Sequence, residues 1–355
     1  MSLPWWLRWA AFAGALLIVA LTVDNQYYFT LINFIGIHAM LVVGLNLLLG
    51  YAGQISLGHA AFFGLGAYTS GILTATYGVN PWLAMPAGLA VSGVAAVIIG
   101  VPALKLRGYY LAMATLGFGI IVFIVLKEAR GLTGGPSGLT GIPSLSLGGF
   151  SFNTPWRLFL LIWPLLGVML AVSANIVNSR VGRALRALHD SEAAAQSLGV
   201  NVPRLKLMIF VCSALYASLA GSLYAHTLNF IAPASFGFMF SIKLVTMVVV
   251  GGLASIWGSL LGAAVLTVLP EALGYLAVSL EALDHLGVSM EALFRAVGLP
   301  APRELPGLCH DLEVVIFGAI LMVVMISLPR GLVRGIMDLW EFRRYKREGG
   351  ALPFN

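Results

Sequence analysis

Long apolar runs, separated by short polar or glycine-rich loops, make up most of the sequence. A transmembrane helix needs roughly 20 consecutive apolar residues, and about ten runs approach this length. They lie near residues 9–23, 29–50, 57–77, 82–104, 109–126, 156–177, 207–228, 238–256, 259–279 and 312–329. The pattern predicts an all-α integral membrane protein with about ten transmembrane helices, because a helix satisfies its own backbone hydrogen bonds in lipid.

The composition excludes an ordinary soluble protein. Hydrophobic residues account for 59% of the chain and charged residues for only 10%, which leaves too little charged surface for a soluble domain. The net charge of +6 would suggest a nucleic-acid partner in a soluble protein. Here the basic residues cluster in a few loops and in the C-terminal tail, as they do on the cytoplasmic side of membrane proteins. We therefore expect membrane lipid, and no nucleic acid, around this chain.

The positions of the basic residues predict the orientation. Arg8 precedes the first run, Lys105 and Arg107 lie between the fourth and fifth, and residues 178–206 follow the sixth. An even number of spans puts these regions and the basic C-terminal tail on one side, which the positive-inside rule makes cytoplasmic. Both termini are therefore predicted to be cytoplasmic. The first run lacks a convincing cleavage site, and we expect it to remain as the first span.

The polar stretch 178–206, NSRVGRALRALHDSEAAAQSLGVNVPRLK, carries the clearest local pattern between spans. Its arginines come first, an acidic step follows, and a run of small residues leads to Gly199. Ser191 or Asp190 can cap the N-terminus of this short helix, and Gly199 can end it as the C′ residue. The pattern predicts a short capped helix on the cytoplasmic side that another protein grips.

The opposite face receives two larger polar segments. Residues 131–150 are rich in Gly, Pro, Ser and Thr and are predicted to form a loop. Residues 281–311 form an insert whose apolar residues recur at helical spacing, so two interpretations stay open: an amphipathic helix at the outer membrane interface, or a loop helix packed on its own protein. The whole is predicted to be one transmembrane domain, residues 1–340, followed by a cytoplasmic tail, residues 341–355.

Two stretches, residues 50–71 and 248–265, are unusually rich in small residues. Rows such as Ser56, Ala60 and Gly64, or Gly258 and Gly262, let helix backbones approach closely. We predict that both stretches mainly pack helices against each other. The alternative is that they line a permeation path.

Motifs for catalysis are missing from the sequence. It has no phosphate-binding P-loop, no zinc-binding His-Glu-x-x-His pattern and no nucleophile elbow. We therefore predict no catalytic residues, no metal site and no enzyme activity, but a transporter or channel body without its own motor. Two ionisable residues, Lys243 and Glu271, are predicted near the outer ends of the eighth and ninth spans. An ion pair between them is the favoured interpretation, with direct substrate contact as the alternative.

Five motifs follow one another along the chain. They are LNLLLGYAGQISLGHAAFFGLGAYTSGIL, RGYYLAMATLGFG, TGGPSGLTGIP, GRALRALHDSEAAAQSLGVNVPRLKLMIFVCSALYASLAGSLYAH and VVVGGLASIWGSLLGAAVL. Together they resemble the permeases of bacterial branched-chain amino acid ABC importers, and within that family the LivM type. The resemblance covers residues 25–332, nearly the whole chain.

The resemblance implies an inner-membrane protein with the ten-span architecture of a type II importer permease. It also implies a second, LivH-like permease, two ATP-binding subunits that hold ATP and Mg, and a periplasmic solute-binding protein. The chain itself would bind no cofactor. The solute would be a branched-chain or other hydrophobic amino acid, whereas related permeases also carry urea, amides and aromatic acids.

The resemblance also assigns candidate site residues. Glu192, Ala193 and Ala194 match the Glu-Ala-Ala core of the ABC-permease coupling motif, and Gly199 falls one position later than in the general motif. Residues 183–199 would then be the helix that enters an ATPase groove. The predicted coupling residues are Arg183, Arg186, Ser191, Glu192, Ala193, Ala194, Leu198 and Gly199. The predicted path residues are Gln54, Ser56, His59, Tyr68, Lys243 and Glu271.

The insert at residues 281–311 departs from the family pattern, because it is longer than expected between the last two spans. It lies on the predicted docking face, where it either adapts the complex to one binding protein or is tolerated surface structure. Three alternative functions are a sugar-type ABC permease, a secondary transporter and a self-contained channel. A secondary transporter needs buried carboxylates in two corresponding halves, for which Glu271 alone is too little. The capped helix argues against a channel.

Overall fold

The computed structural model describes residues 25–106 and 108–285, with side chains up to residue 272, and isolated positions nearer both ends. Contacts between residues divide the chain into two units, residues 1–245 and 246–355. Each unit is described here by itself. The prediction of a single transmembrane domain over residues 1–340 stays a prediction.

The described part of the chain is dominated by helices. In order they are α1 Gln26–Asn46, α2 His59–Ala75, α3 Pro81–Ala103, α4 Tyr109–Glu128, α5 Arg130–Thr133, α6 Pro155–Asn178, α7 Arg180–Asp190, α8 Glu192–Ser197, α9 Val202–Leu228, α10 Phe238–Gly251 and α11 Ile256–His285. Four short strands are β1 Leu139–Thr140, β2 Ser146–Leu147, β3 Phe150–Ser151 and β4 Phe230–Ile231, with β1 antiparallel to β4 and β2 antiparallel to β3. The predicted all-α membrane class is confirmed.

Five of the described helices are long and apolar enough to cross a membrane. They are α1 with its continuation to Tyr51, α3, α4, α6 and α9. Helices α2 and α10 contain 17 and 14 residues, shorter than a usual span. The predicted runs 9–23 and 312–329 lie outside the described residues, so the count of about ten spans stays a prediction.

Asparagine and serine caps fix where several helices begin. The side chain of Asn80 accepts a hydrogen bond from the backbone N–H of Trp82, with Pro81 in the first turn of α3. Asn25 accepts from Tyr27 N at the start of α1. Such residues satisfy N–H groups that have no partner within the helix, and proline loses nothing in the first turn.

Helices α2 and α9 form the centre of the first unit. Three side-chain bonds join residues that lie 154 to 156 positions apart: His59 with Ser213, Ser222 with the Gly66 carbonyl, and Ser70 with His226. The nearly constant offset means that the two helices run parallel and in register. They touch through their backbones, because a Cβ at Gly66 would collide with the Ser218 carbonyl oxygen and one at Gly221 with the Phe63 carbonyl oxygen.

The remaining long helices surround this pair. Gly88 of α3 lies against Gly66 and Ser222, while Gly100 of the same helix packs against Leu207 and Phe210. Helix α3 therefore runs antiparallel to α9. Consequently residues 52–58, Lys105 and the start of α9 lie at one end of the unit, which we call the coupling end because it also carries residues 178–206. The loop at residues 131–150 lies at the opposite end.

Helix α10 begins part-way along α2 rather than at its end. Ile231 packs beside Gly71 of α2, Phe236 beside Gly64, and the Ser241 hydroxyl accepts a hydrogen bond from Ala60 N. The segment between Leu228 and Phe238 thus returns along α2 without forming an α-helix. The predicted span of residues 238–256 begins where expected but is only a 14-residue helix, because the chain leaves the helix after Gly251, with positive φ at Gly252 and Ala254.

The loop at the opposite end is held by side chains of α9 and its C-terminus. Asn229 Nδ2 donates to the Ile142 carbonyl at 2.7 Å, and His226 Nδ1 lies 2.8 Å from the Pro143 carbonyl. Strand β1 of this loop pairs with β4 just after α9. The predicted turn-rich loop is therefore an ordered cover over the ends of α2 and α9.

Within the second unit, small residues bring α10 and α11 together. A Cβ at Gly262 would collide with the Met247 carbonyl oxygen, and one at Gly251 with the Gly258 carbonyl oxygen. The predicted packing role of residues 248–265 is confirmed. Helix α11 continues without interruption to His285, so the first five residues of the predicted insert are helical, and the insert at residues 281–311 stays a prediction. The insert beyond residue 285 lies outside the described residues.

The close contact of α2 and α9 generates a stability prediction. Gly66→Ala places a methyl group against backbone atoms that cannot rotate away, so we expect the midpoint of thermal unfolding in detergent to fall by about 5 °C or more. Gly117→Ala is the matched control, because Gly117 is also helical and a Cβ there meets nothing within 4 Å. An unchanged midpoint for Gly66→Ala, measured by dye fluorescence, would contradict the backbone contact.

Candidate coupling site and helix break

The polar stretch between α6 and α9 folds as two short helices that meet at Ser191. The Ser191 hydroxyl accepts a hydrogen bond from Ala194 N at 3.3 Å and caps α8. Gly199 has φ +82°, and Val200 N donates to the Ala195 carbonyl at 3.1 Å, which closes the helix C-terminus. Both predicted caps are confirmed. The single helix expected over residues 183–199 is wrong, because the extended backbone at Ser191 breaks it.

Helix α7 is amphipathic and lies on the protein with one face. Its buried residues, Gly182, Leu185 and Leu188, recur every three positions. Arg183 and Arg186 recur at the same spacing on the exposed face. The apolar stripe fixes α7 on the coupling end, and the arginines face outward.

Helix α8 presents an apolar strip to the outside. Ala193 and Ala194 are exposed and the side chain of Leu198 is 79% exposed, whereas Ala195 is fully buried. The exposed residues among these all belong to the predicted coupling set. We call Arg183, Arg186, Ala193, Ala194 and Leu198 the coupling surface.

The Glu192 side chain contacts α9 of its own protein instead of facing outward. Its Oε1 lies 2.9 Å from Nζ of Lys206, in the second turn of α9. The Lys206 side chain is 8% exposed and the Glu192 side chain 24%. Lys206 is not among the residues predicted from the sequence, because it lies 14 positions further along the chain. The ion pair ties α8 to α9, so Glu192 orients the coupling surface from behind.

A second feature of the coupling end is the break between α1 and α2. Helix α1 ends in a π-helical turn, Leu47–Tyr51, and the chain is not helical again until His59. Leu57 N donates to the Thr115 hydroxyl at 3.1 Å, and Gly58 lies against the Thr115 carbonyl. Non-helical backbone within a membrane protein has to be buried or to line a polar cavity. Here the Thr115 hydroxyl accepts one of the backbone N–H groups of the break.

The break contains three of the predicted path residues. His59 is bonded on both ring nitrogens, to the Ser56 hydroxyl at 2.9 Å and to the Ser213 hydroxyl of α9. Ser56 and His59 therefore tie the break to α9. Gln54 differs: it is 4% exposed, and neither its Nε2 nor its Oε1 has a hydrogen-bond partner in the described part of the chain.

The comparison with protein families decides the identity. The family model described as "Branched-chain amino acid transport system / permease component" matches residues 27–325. The chain belongs to this family. Its relatives are transport permeases rather than enzymes, as the sequence analysis predicted. Together with the five spanning helices, membership makes the chain a multi-pass membrane protein.

Individual relatives include both permeases of one transport system. The chain is 36% identical over 258 residues to the "High-affinity branched-chain amino acid transport system permease protein LivM" of Salmonella typhimurium, an alignment that covers 66% of this chain and 61% of the relative. It is 30% identical over 251 residues to LivH of the same organism, covering 65% and 80%. The "Ribose import permease protein RbsC" of Escherichia coli is 28% identical over 273 residues, covering 73% and 80%. No solved structure matches the chain significantly.

The other predicted path residues of this permease-family chain are spread along α2 and beyond. Tyr68 is 2% exposed, and its hydroxyl lies 3.5 Å from the Ile231 carbonyl, on the far side from the break. Lys243 lies two positions after Ser241 in α10, whose hydroxyl accepts a hydrogen bond from Ala60 N near the start of α2. Its place near the outer end of a span stays a prediction. Glu271 is an exposed residue of α11 in the second unit. The predicted ion pair between Lys243 and Glu271 stays a prediction.

The ion pair between Glu192 and Lys206 generates a prediction of local stability. Glu192→Lys and Lys206→Glu each place two like charges together, so we expect amide hydrogen exchange over residues 192–198 to become about ten-fold faster. The double variant reverses the pair and should return the exchange rate to within about three-fold of the original. Mass spectrometry of the exchanged chain measures this. Equal exchange in all four proteins would show that the pair does not hold α8.

Proposed function

We propose that the chain is a membrane-spanning permease subunit of an ATP-driven ABC importer for branched-chain and other hydrophobic amino acids. The observation that carries this proposal is the capped helix α8, which projects an exposed apolar strip from a member of the branched-chain permease family. A permease without an ATPase motif needs such a surface to receive work from another subunit.

The proposed mechanism leaves ATP chemistry to the partners. Two ATP-binding subunits hold ATP and Mg, and their closure displaces the coupling surface. The displacement shifts the helices between inward-open and outward-open arrangements. A ligand shifts such an equilibrium only by its difference in affinity for the two states, so the energy comes from ATP binding to the partners.

The path for the solute is proposed to run beside α2, where the chain has its break. Gln54 is the polar contact we favour, because its side chain is buried and has no hydrogen-bond partner within the described residues. Ser56 and His59 shape the break, and Tyr68 lies further along the same helix. Lys243 and Glu271 stay proposed residues of the path.

The proposed complex includes further partners. LivM and LivH are both relatives and are named as permeases of one transport system, which supports pairing with a second, LivH-like permease. A periplasmic solute-binding protein is proposed to dock on the end opposite the coupling surface, near residues 131–150. We accordingly propose that the chain lies in the bacterial inner membrane with both termini and residues 178–206 in the cytoplasm.

Reconstitution tests the proposal directly. The tagged chain is purified in mild detergent from its own membrane, and each co-purifying subunit is identified by mass. Two ATPase chains and a second permease are expected, and proteoliposomes with the binding protein should take up labelled leucine only when ATP is supplied. Ribose and phenylalanine serve as competing solutes. Recovery of the chain without any ATPase would overturn the importer proposal.

The exposed leucine of α8 generates a separate prediction. Leu198→Glu places a charge on the coupling surface without touching the protein core, since the side chain is 79% exposed. We expect co-purification of the ATPase to fall about ten-fold or more, as for a residue at the centre of an interface. Leu147→Glu is the control: Leu147 is 61% exposed in β2, at the opposite end. Undiminished ATPase recovery with Leu198→Glu would exclude this surface as the docking site.

A further inference from the structure

The polar stretch 178–206, which we call the coupling segment, touches the helix break where His189 meets Gly53. The imidazole of His189 lies directly over Gly53, so that a Cβ on Gly53 would be 2.7 Å from His189 Nδ1. Gly53 also has φ +65°, a backbone conformation that favours glycine. Both the space and the conformation therefore require glycine at this position.

The two residues belong to the two features already described. His189 is the next-to-last residue of α7, two positions before the Ser191 corner from which α8 and the coupling surface project. Gly53 immediately precedes Gln54, a buried side chain without a hydrogen-bond partner among the described residues. A displacement of α8 acts on the corner, and through His189 it reaches the residue beside Gln54.

The break is held differently at its two ends. Towards α2 it is bonded to α4 and α9 through Leu57 with Thr115 and through His59 with Ser213. Towards α1, Gln54 N donates to the Leu48 carbonyl at 3.0 Å, and the adjacent Gly53 is exposed and lies under His189. A force on Gly53 would therefore rotate the first residues of the break, while its second half stays bonded to α4 and α9. Gln54 is the side chain that such a turn reorients.

We propose that His189 and Gly53 form the contact through which the coupling segment controls the Gln54 side chain of the solute path. This inference rests on the proposed importer function and adds its regulation. With α8 in the position seen here, Gln54 stays buried. When the ATPase moves α8, His189 leaves or presses Gly53, and Gln54 changes its exposure to the path.

Transport assays on the complete complex in proteoliposomes test the contact. His189→Ala removes the imidazole, and we expect uptake of leucine to fall about ten-fold, within the usual range of coupling free energies. ATP hydrolysis in the absence of binding protein should stay within about two-fold, since neither residue belongs to the coupling surface. The number of ATP molecules hydrolysed per leucine therefore rises. A purely structural defect would lower both activities together.

Gly53→Ala should reproduce this uncoupling, because its methyl group displaces His189. Gly78→Ala is the matched control: Gly78 has φ +63°, and a Cβ there meets nothing within 4 Å, so it has the same backbone strain without the contact. We expect Gly78→Ala to transport normally. The double variant Gly53→Ala/His189→Ala should be no worse than either single variant, since both act on one contact.

A direct readout follows the Gln54 side chain. Gln54→Cys is introduced after Cys212→Ala and Cys309→Ala, and its reaction with a maleimide is timed with and without ATP and vanadate. We expect the reaction rate to change about five-fold or more on trapping, and His189→Ala to abolish the change. Equal rates in the trapped and untrapped complex, or full coupling with His189→Ala, would overturn the inference. Failure of the unmodified complex to couple ATP hydrolysis to uptake would instead overturn the proposed function.

Discussion

The backbone contact between α2 and α9 is the constraint on which the rest of the first unit depends. Gly66 and Gly221 allow each helix to approach the carbonyl oxygens of the other. At that separation the short hydroxyl side chains of α9 reach across, and Ser222 bonds the Gly66 carbonyl at 3.1 Å. In lipid no hydrophobic force holds helices together, so close packing and such bonds have to do it. A methyl group at either glycine would separate the helices and weaken all of these interactions together.

The same contact explains why α2 can begin abruptly after a break. Because α9 runs parallel to α2 and in register with it, Ser213 meets His59 at the first residue of α2. Thr115 of α4 and Ser241 of α10 bond the neighbouring N–H groups of Leu57 and Ala60. Two backbone N–H groups that a continuous helix would satisfy are therefore satisfied by α4 and α10, while α9 holds the His59 side chain. The break is a built part of the fold, and Gln54 is the side chain in it that these bonds leave out.

At the coupling end, inward and outward contacts are divided between neighbouring residues. Glu192 and Lys206 hold α8 from behind, while Leu198 faces outward from the last turn. Three positions before Glu192, in the preceding helix α7, His189 contacts the break at Gly53. A short segment thus has one surface for a partner, one brace to α9 and one contact with the proposed path. In the proposed mechanism, a force on α8 reaches the membrane helices through the ion pair and through the contact of His189 with Gly53.

The sequence by itself determined the membrane class, the approximate spans and the capped helix that ends at Gly199, because these depend on composition and on hydrogen bonds between near neighbours. It also placed Gln54 and His59 away from lipid, but could not tell a residue with two partners from one with none. Tertiary structure decided that the His59 ring is bonded while the Gln54 side chain has no partner among the described residues, that Lys206 pairs with Glu192, and that α10 starts part-way along α2. Each of these depends on which residues meet across more than ten positions of chain, and local periodicity carries no information about that.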